Sequence, residues 1–263
     1  MKICEDEIFG VLSVCSGDYS FRRSCEYQSK FWPIEAYIAN KDKCNRPIAL
    51  IIESPHIKEF VGVHIKNMVT EQIVNARPVN GATGRNILQQ LHLLLKKLPL
   101  KLSDGNYPVL VINAIQLQCS RGADTLIYRT RDFIHYWPSC RASLVNRLSR
   151  LTPSLVINAC TKGDFYIAND DGQIVNIKAY NSGFASNFKR LLNKEFGYQQ
   201  VNSGGELQFM GTFDLSGLVM HQLYDIYKTS DIPIYKTTHP ASWGFRAPNF
   251  TNYSDKCFEF SRT

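Results

Sequence analysis

The sequence predicts an α/β protein with three layers, α/β/α, in which a central, mainly parallel sheet of four strands lies between helices. Short apolar runs rich in Ile, Val and Leu alternate with segments of helical periodicity, and such runs are typical of strands buried on both faces of a parallel sheet. The chain has 263 residues, which suits one sizeable core better than two. We therefore expect residues 1–263 to form a single domain.

Each element of this fold follows from a local pattern. The predicted strands are IALII (48–52), PVLVINA (108–114), LVINA (155–159) and IPIYKTT (232–238). The predicted helices are 84–98, which has an apolar stripe at helical spacing, a segment around 141–151, 184–196 and 215–226. Residues 61–80 and 119–136 are expected to be long irregular segments, and residues 1–46 to be short helices that cap a core at 47–250.

The charge and hydropathy of the chain indicate which kinds of binding partner to expect. Thirty Lys and Arg residues against 23 Asp and Glu residues give a formal charge of +7, which favours a polyanion such as nucleic acid. No apolar run reaches the roughly 18 residues of a membrane span, and the opening MKICEDEIFG is acidic where a secretory signal is basic and then apolar. We expect a soluble, cytoplasmic monomer with no membrane partner.

The eight cysteines contain no Cys-x-x-Cys pair, so neither a zinc ribbon nor a compact disulfide framework is indicated. Reduced, mostly buried thiols are expected. An iron–sulfur cluster on the first four cysteines is the open alternative. The motifs of serine hydrolases and of zinc enzymes are absent from the sequence, and we expect no metal and no cofactor.

Three polar residues stand where three predicted strands end. Glu53 follows the first strand, Asn113 lies at the end of the second, and His239 follows the fourth. Because the carboxyl ends of parallel strands meet at one edge of a sheet, these side chains are expected to converge. A carboxylate, an amide and an imidazole can together activate water, read a hydrogen-bonding edge and stabilise a leaving anion. Alternatively, Asn113 only caps a turn.

The motifs around these residues resemble those of the uracil-DNA glycosylase superfamily, over roughly residues 47–250. The matching segments, in the same order as in the family, are IIESPHI (51–57), VLVINAIQL (109–117) and THPASWGFRAPNF (238–250). The resemblance implies a glycosylase-like fold and a DNA N-glycosylase. Such an enzyme extrudes one base from double-stranded DNA and hydrolyses its N-glycosidic bond without a cofactor, leaving an abasic site.

The resemblance also implies roles for single residues. Glu53 and Ser54 are the candidate catalytic residues that position water, since Glu53 stands where one branch keeps a Glu and Ser54 where others place Asp or Asn. His239 would donate a hydrogen bond to the carbonyl oxygen of the departing base. Asn113 would pair with the base, and Pro55 and His56 would line its pocket.

Contacts to DNA are expected from three segments. Thr83, Gly84 and Arg85 open the helix at 84–98, where backbone N–H groups can hold a phosphate, although a plain glycine-rich turn is the alternative. Lys162 is a second phosphate candidate, or simply a solvated lysine. In the loop after His239, the candidate DNA contacts are Ser242, Trp243 and Arg246. Trp243 or Phe245 would fill the space of the extruded nucleotide, and ordinary loop packing is the alternative.

The base itself is expected to be modified. In the best-known branch a Tyr after the motif's Pro keeps thymine out, whereas His56 stands there in this chain. A polar His56 suits a large substituent, such as a sugar on hydroxymethylcytosine. Some bacterial relatives in the superfamily excise such bases from phage DNA, which suggests antiviral defence. The alternatives are uracil excision, a non-catalytic DNA-binding protein, and an enzyme of free nucleosides or nucleotides.

Overall fold

The computed structural model describes residues 3–24, 30–60, 65–74, 76–79, 81–120, 125–164, 166–169, 171–176, 215–246 and 248–252. The strands in these residues are β1 (Glu7–Cys15), β2 (Asp18–Arg23), β3 (Lys30–Phe31), β4 (Ile48–Ile52), β5 (Ile65–Asn67), β6 (Ile73–Val74), β7 (Gly105–Asn113), β8 (Leu155–Asn158), β9 (Tyr166–Ala168), β10 (Ile174–Asn176), β11 (Ile234–Lys236) and β12 (Thr251–Asn252). The α-helices are α1 (Ile34–Ala39), α2 (Ala82–Lys96), α3 (Thr125–Ser149) and α4 (Leu215–Tyr227).

A mixed sheet of seven strands lies at the centre of the described residues, in the order β12-β11-β8-β4-β7-β1-β2. The four predicted strands, β4, β7, β8 and β11, form its parallel centre. The predicted number of four strands is wrong, because β1 pairs antiparallel with β7, β2 with β1, and β12 with β11. The α/β class is confirmed.

The N-terminal segment forms strands where short helices were expected. Residues 7–23 are the hairpin β1–β2, and α1 is the only α-helix that the structure describes in residues 1–46. Ser16 and Gly17 close the hairpin with positive φ angles of 52° and 81°, which is the backbone that a two-residue hairpin turn requires. Apolar residues of β1 are buried against the sheet, so this segment extends the core instead of capping it.

Helices cover both faces of the sheet. On one face Ile48, Leu50 and Ile52 of β4 pack with apolar residues of α2. On the other face Ala49 and Ile51 pack with residues of α3 and α4. The alternation along β4 thus explains why its whole sequence is apolar: every residue of the strand meets a helix layer.

The helix predictions are confirmed for α2 and α4. The predicted helix at 141–151 is the second half of α3, which begins at Thr125 and runs through Pro138. The expectation of an irregular segment over 119–136 is therefore wrong for most of its length. Phe133, Trp137, Leu144 and Leu148 are buried on one stripe of this helix, and their burial offsets the backbone hydrogen bond that Pro138 removes. The predicted helix 184–196 lies outside the described residues.

In the part of the chain that the structure describes, no helix combines the length and hydropathy needed to cross a membrane. The described cysteines form no disulfide. Cys4, Cys119 and Cys160 are buried, and burial raises the pKa of the Cys4 and Cys119 thiols, which makes both thiols poor nucleophiles.

Candidate active site

Glu53 lies at the centre of a cluster of polar groups at the carboxyl edge of the parallel strands. Its side chain is 3% exposed. One carboxylate oxygen, Oε2, lies 3.5 Å from Nε2 of His239, and the other, Oε1, lies 3.4 Å from Nη1 of Arg129. The backbone N–H of Thr161, just after β8, donates to Oε2 over 3.4 Å. The structure therefore brings Glu53 and His239 together across the intervening strand β8.

A local hydrogen bond determines which ring nitrogen of His239 carries the proton. Its Nδ1 accepts the backbone N–H of Ala241 over 3.2 Å, so the neutral ring carries its proton on Nε2, the nitrogen that faces Glu53. Burial lowers the pKa of His239, the charge of Glu53 opposes this, and the charge of Arg129 adds to the lowering. At neutral pH the ring is thus a neutral donor aimed into the cluster.

Arg129 is a site residue that the sequence analysis missed. It projects from α3, and its side chain is 17% exposed. An arginine in the first turns of a long helix carries no local signal of function, because only the packing of α3 over the end of β4 brings it to Glu53. It pairs with the one carboxylate oxygen that His239 does not contact.

Replacing Arg129 with methionine is expected to raise the pKa of His239. The substitution removes a cation that lowers this pKa and leaves the charge of Glu53, which raises it. An NMR titration of the imidazole C–H resonances measures the shift. Arg131→Met on the same helix is the control, since Arg131 donates to the carbonyls of Ala168 and Asn169. An unchanged or lower His239 pKa in Arg129→Met would contradict the electrostatic coupling.

The turn after β4 is held by the buried carboxyl group of Glu59. Glu59 accepts the backbone N–H of His56 with Oε2, over 3.1 Å, and the backbone N–H of Val79 with Oε1, over 2.7 Å. Burial raises the pKa of Glu59 to about 8. Glu59 thus ties the turn at His56 to the segment that leads into α2, and it was not predicted from the sequence.

The remaining residues of the predicted Glu-Ser-Pro-His motif line the same turn. Ser54 and Pro55 are buried. Nδ1 of His56 accepts the N–H of Lys58 over 3.1 Å, which leaves Nε2 for other contacts. Burial lowers the pKa of His56, and the charges of Lys58 and Arg129 add to this. Contact of these residues with a base stays a prediction.

Hydrogen bonds of its backbone hold Asn113 in position. Its N–H donates to Oδ1 of Asp6 over 3.3 Å, and its carbonyl accepts from Nη2 of Arg147 over 2.8 Å. Asp6, which is buried, also forms an ion pair with the half-buried Arg147. The side-chain atoms Oδ1 and Nδ2 of Asn113 are buried and make no hydrogen bond, so the alternative in which this side chain caps a turn is wrong.

The start of α2 lies beside the His239 loop. Nδ2 of Asn86 donates to the carbonyl of Pro240 over 2.8 Å. A Cβ on Gly84 would lie 2.1 Å from the carbonyl oxygen of Val79, which explains the glycine. Arg85 is exposed and Thr83 half-buried. The predicted phosphate segment and the predicted DNA loop are therefore neighbours on one rim of the site.

The predicted contact of Trp243 with DNA is not supported by its position, which fits the alternative of ordinary packing. Trp243 is 4% exposed and packs in the core cluster on the α2 face, and its Nε1 donates to the carbonyl of Thr238 over 2.9 Å. Apolar burial and a satisfied indole N–H both hold it inside. Phe245, in contrast, is 90% exposed.

The other predicted DNA contacts differ in their exposure. Oγ of Ser242 donates to the carbonyl of His239 over 2.8 Å, so this hydroxyl stabilises the loop. Arg246 is exposed next to Phe245. Lys162 is also exposed, and its backbone carbonyl accepts the N–H of Leu215 at the start of α4. Phosphate contacts by Arg246 and Lys162 stay predictions.

Comparison of the chain with protein-family models, with curated proteins and with solved structures finds no match. The resemblance to the uracil-DNA glycosylase superfamily therefore stays a prediction from three motifs. The geometry of Glu53, His239 and their neighbours stands independently of that resemblance.

Proposed function

We propose that this protein is a DNA N-glycosylase that extrudes a modified pyrimidine from double-stranded DNA and hydrolyses its N-glycosidic bond. The observation that carries the proposal is the 3.5 Å approach of His239 Nε2 to Glu53 Oε2. It joins a hydrogen-bond donor and a carboxylate at the edge where ligands bind in parallel sheets. Breaking a glycosidic bond needs both groups, because negative charge develops on the base and positive charge on the sugar.

The two residues divide the reaction between them. His239 donates its Nε2–H to a carbonyl oxygen of the base, where charge collects as the bond opens. Glu53 accepts a hydrogen bond from the water and stabilises the positive sugar. The water oxygen bonds to C1′ while the bond from C1′ to the base nitrogen breaks, and the electron pair of that bond leaves with the base. The water gives up one proton, which the departing base takes up, so the products are a free neutral base and an abasic site.

The rim of the site beside Glu53 and His239 carries exposed cationic and aromatic side chains that suit contact with DNA. Arg85 at the start of α2 and Arg246 in the His239 loop are both exposed, and the hydrogen bond from Asn86 to Pro240 joins their two segments. Of the two aromatic residues predicted for the wedge, Trp243 and Phe245, only Phe245 is exposed, at 90%. Its ring can fill the gap in the stack that an extruded nucleotide leaves.

His56 supports a modified base. His56 stands where the similar glycosylase motif has a bulky Tyr. Only its Nδ1 takes part in the turn, by accepting the N–H of Lys58, so Nε2 is left for a substrate. We propose that the base carries a large polar substituent at carbon 5, as in the glucosylated hydroxymethyl pyrimidines of phage DNA, and that His56 hydrogen bonds to it.

The proposal is tested by measuring abasic sites in DNA. Matched duplexes carry one uracil, one mismatched thymine, one hydroxymethylcytosine or one glucosylated hydroxymethylcytosine, and alkaline strand cleavage reports base release. Release from one duplex that Glu53→Gln abolishes would support the proposal, with thermal unfolding used to verify that the variant folds. Salt-sensitive binding without release from any duplex would favour a non-catalytic DNA-binding protein, and release from free nucleosides alone would favour a nucleoside hydrolase.

Arg85→Ala and Arg246→Ala are each expected to weaken DNA binding and to reduce the slope of log affinity against log salt by about 1. Each substitution removes one cation that can release a counterion from the duplex. Fluorescence anisotropy at several salt concentrations measures both effects. Lys97→Ala is the matched control, because Lys97 is exposed at the opposite end of α2. If Arg85→Ala and Arg246→Ala changed the salt slope no more than Lys97→Ala does, DNA would not bind at this rim.

A further inference from the structure

Glu7 and Asn113 are among the buried side chains near the candidate site whose polar atoms have no partner. Glu7 and Asn113 are both fully buried. Neither oxygen of the Glu7 carboxyl group, and neither Oδ1 nor Nδ2 of Asn113, has a hydrogen-bond partner. Leaving such atoms unpaired inside a protein is costly, and native structures contain few of them. The pair indicates a place where a ligand completes the hydrogen bonds.

The strand register places these two side chains on one face of the sheet. Glu7 of β1 lies opposite Val111 of β7 in the antiparallel pair. Asn113 is two residues further along β7, so its side chain has the same orientation as that of Val111. Diagonal neighbours of this kind have Cα atoms roughly 7–8 Å apart, which allows one planar molecule to contact both side chains.

This pair lies next to the Glu53 cluster. Residue Ile52 is paired with Asn113 in the register of β4 and β7, and the N–H of Ile115 donates to the carbonyl of Glu53 over 3.0 Å. The charges of Glu53 and of Glu7 both raise the pKa of Glu59, so the three carboxyl groups belong to one region. A base held by Glu7 and Asn113 would therefore lie at the edge where Glu53 and His239 stand.

Building on the glycosylase proposal, we propose that Glu7 and Asn113 together read the Watson–Crick edge of the extruded base and select a pyrimidine that carries an exocyclic amino group. The substrate class is thus cytosine with a substituent at carbon 5, and not the corresponding uracil.

The selection follows from which groups donate and which accept. An ionised carboxylate only accepts, whereas an amide does both. The cytosine edge presents an amino donor beside the acceptor N3, so the amino group donates to Glu7 and N3 accepts from Nδ2 of Asn113. The uracil edge presents a carbonyl oxygen at the same position, and two acceptors would then face each other. Unfavourable pairing of this kind discriminates against the wrong base.

The surroundings of Glu7 suit this task. Burial raises the pKa of Glu7 to about 7, while the charges of Arg77 and Arg23 oppose that rise. A donor from the base would favour the ionised form of the carboxyl group. Arg77 is itself buried, and its Nη1 donates to the carbonyl of Lys30 over 3.3 Å.

The test compares duplexes that differ only at position 4 of one pyrimidine. One pair carries 5-hydroxymethylcytosine or 5-hydroxymethyluracil, and a second pair carries their glucosylated forms, all on 2′-fluoroarabino sugars that resist cleavage. The wild-type protein is expected to bind the cytosine member at least about tenfold more tightly. Glu7→Gln is expected to bring the two affinities of a pair within about twofold of each other, because a Gln amide can also donate to the uracil carbonyl. Glu71→Gln, at an exposed carboxylate paired with Lys30, should keep the wild-type ratio.

Equal affinities, or a preference for the uracil member, in the wild-type protein would overturn the inference even if Glu7→Gln does not fold. An unchanged ratio in a folded Glu7→Gln protein would overturn it as well. The same duplexes on ordinary deoxyribose separate the two proposals. Release of both members at equal rates would refute selection by Glu7 and leave the glycosylase intact. A retained cytosine preference in binding without release of any base would refute the glycosylase and support the base reading.

Discussion

Replacing His239 with alanine is expected to slow base release by about 10²–10³-fold, the loss seen when one donor to a developing negative charge is removed. The effect is expected to be large because the imidazole ring is fixed in one orientation and one protonation state. Its Nδ1 is occupied by the N–H of Ala241, its pKa is lowered by burial, and its Nε2–H faces the cluster. Single-turnover measurements of base release at saturating protein isolate the chemical step from binding.

The controls separate chemistry from folding and from DNA binding. His221→Ala removes an exposed histidine of α4, which lies 3.5 Å from Asp225, and should leave the rate unchanged. The dissociation constant of His239→Ala for uncleaved duplex should change little. A rate within about threefold of the wild type would contradict the role of His239, since the expected loss corresponds to about 3–4 kcal/mol of transition-state stabilisation.

Replacing Glu59 with alanine is expected to lower the free energy of unfolding by about 2–4 kcal/mol, because two backbone N–H groups lose their buried acceptor. One of them belongs to Val79, whose φ is 54°. A β-branched residue rarely adopts this left-handed backbone, so the hydrogen bond from Val79 to Glu59 supports a strained position. Urea unfolding followed by circular dichroism measures the change, and Glu71→Ala on the surface should cost far less.

The pH dependence of stability tests the same carboxyl group. The pKa of Glu59 is 4.5 as an ordinary glutamate and about 8 in the fold, so the folded state binds the proton more tightly. Its contribution to stability is therefore fully present below about pH 4.5 and is lost as the pH rises through about 8. Glu59→Gln cannot titrate, and its deficit relative to the wild type should shrink between about pH 5 and about pH 9. A deficit that grows with pH would contradict the raised pKa.

The parallel centre of the fold and the pairing of Glu53 with His239 could be predicted because both depend on local patterns. An apolar run that ends in a polar residue determines a strand and the edge at which its last side chain lies. Arg129 could not be predicted in this way, since its contact with Glu53 depends on where a helix from another part of the chain packs. Asp6 and Arg147, which hold the backbone of Asn113, are a second example.

The errors have separate physical causes. The hairpin β1–β2 was missed because Ser16-Gly17 is a less familiar turn signal than Asn-Gly, and because the aromatic and basic residues that follow do not alternate clearly. Trp243 is a candidate DNA contact by its sequence position, because it stands in the loop after His239. Its burial depends on space beside α2, which a sequence motif does not reveal.

The pairing of β1 with β7 also has a consequence for how the chain acquires its structure. Glu7 and Val111 are neighbours in the sheet although roughly a hundred residues separate them, and ribosomes add about 5–20 residues per second. The hairpin therefore emerges several seconds before its partner strand exists, with the apolar side of β1 unprotected. Contacts of this range also slow folding. The carboxyl group of Glu7 can thus take its place beside Asn113 only late, after the segment through residue 113 has been synthesised.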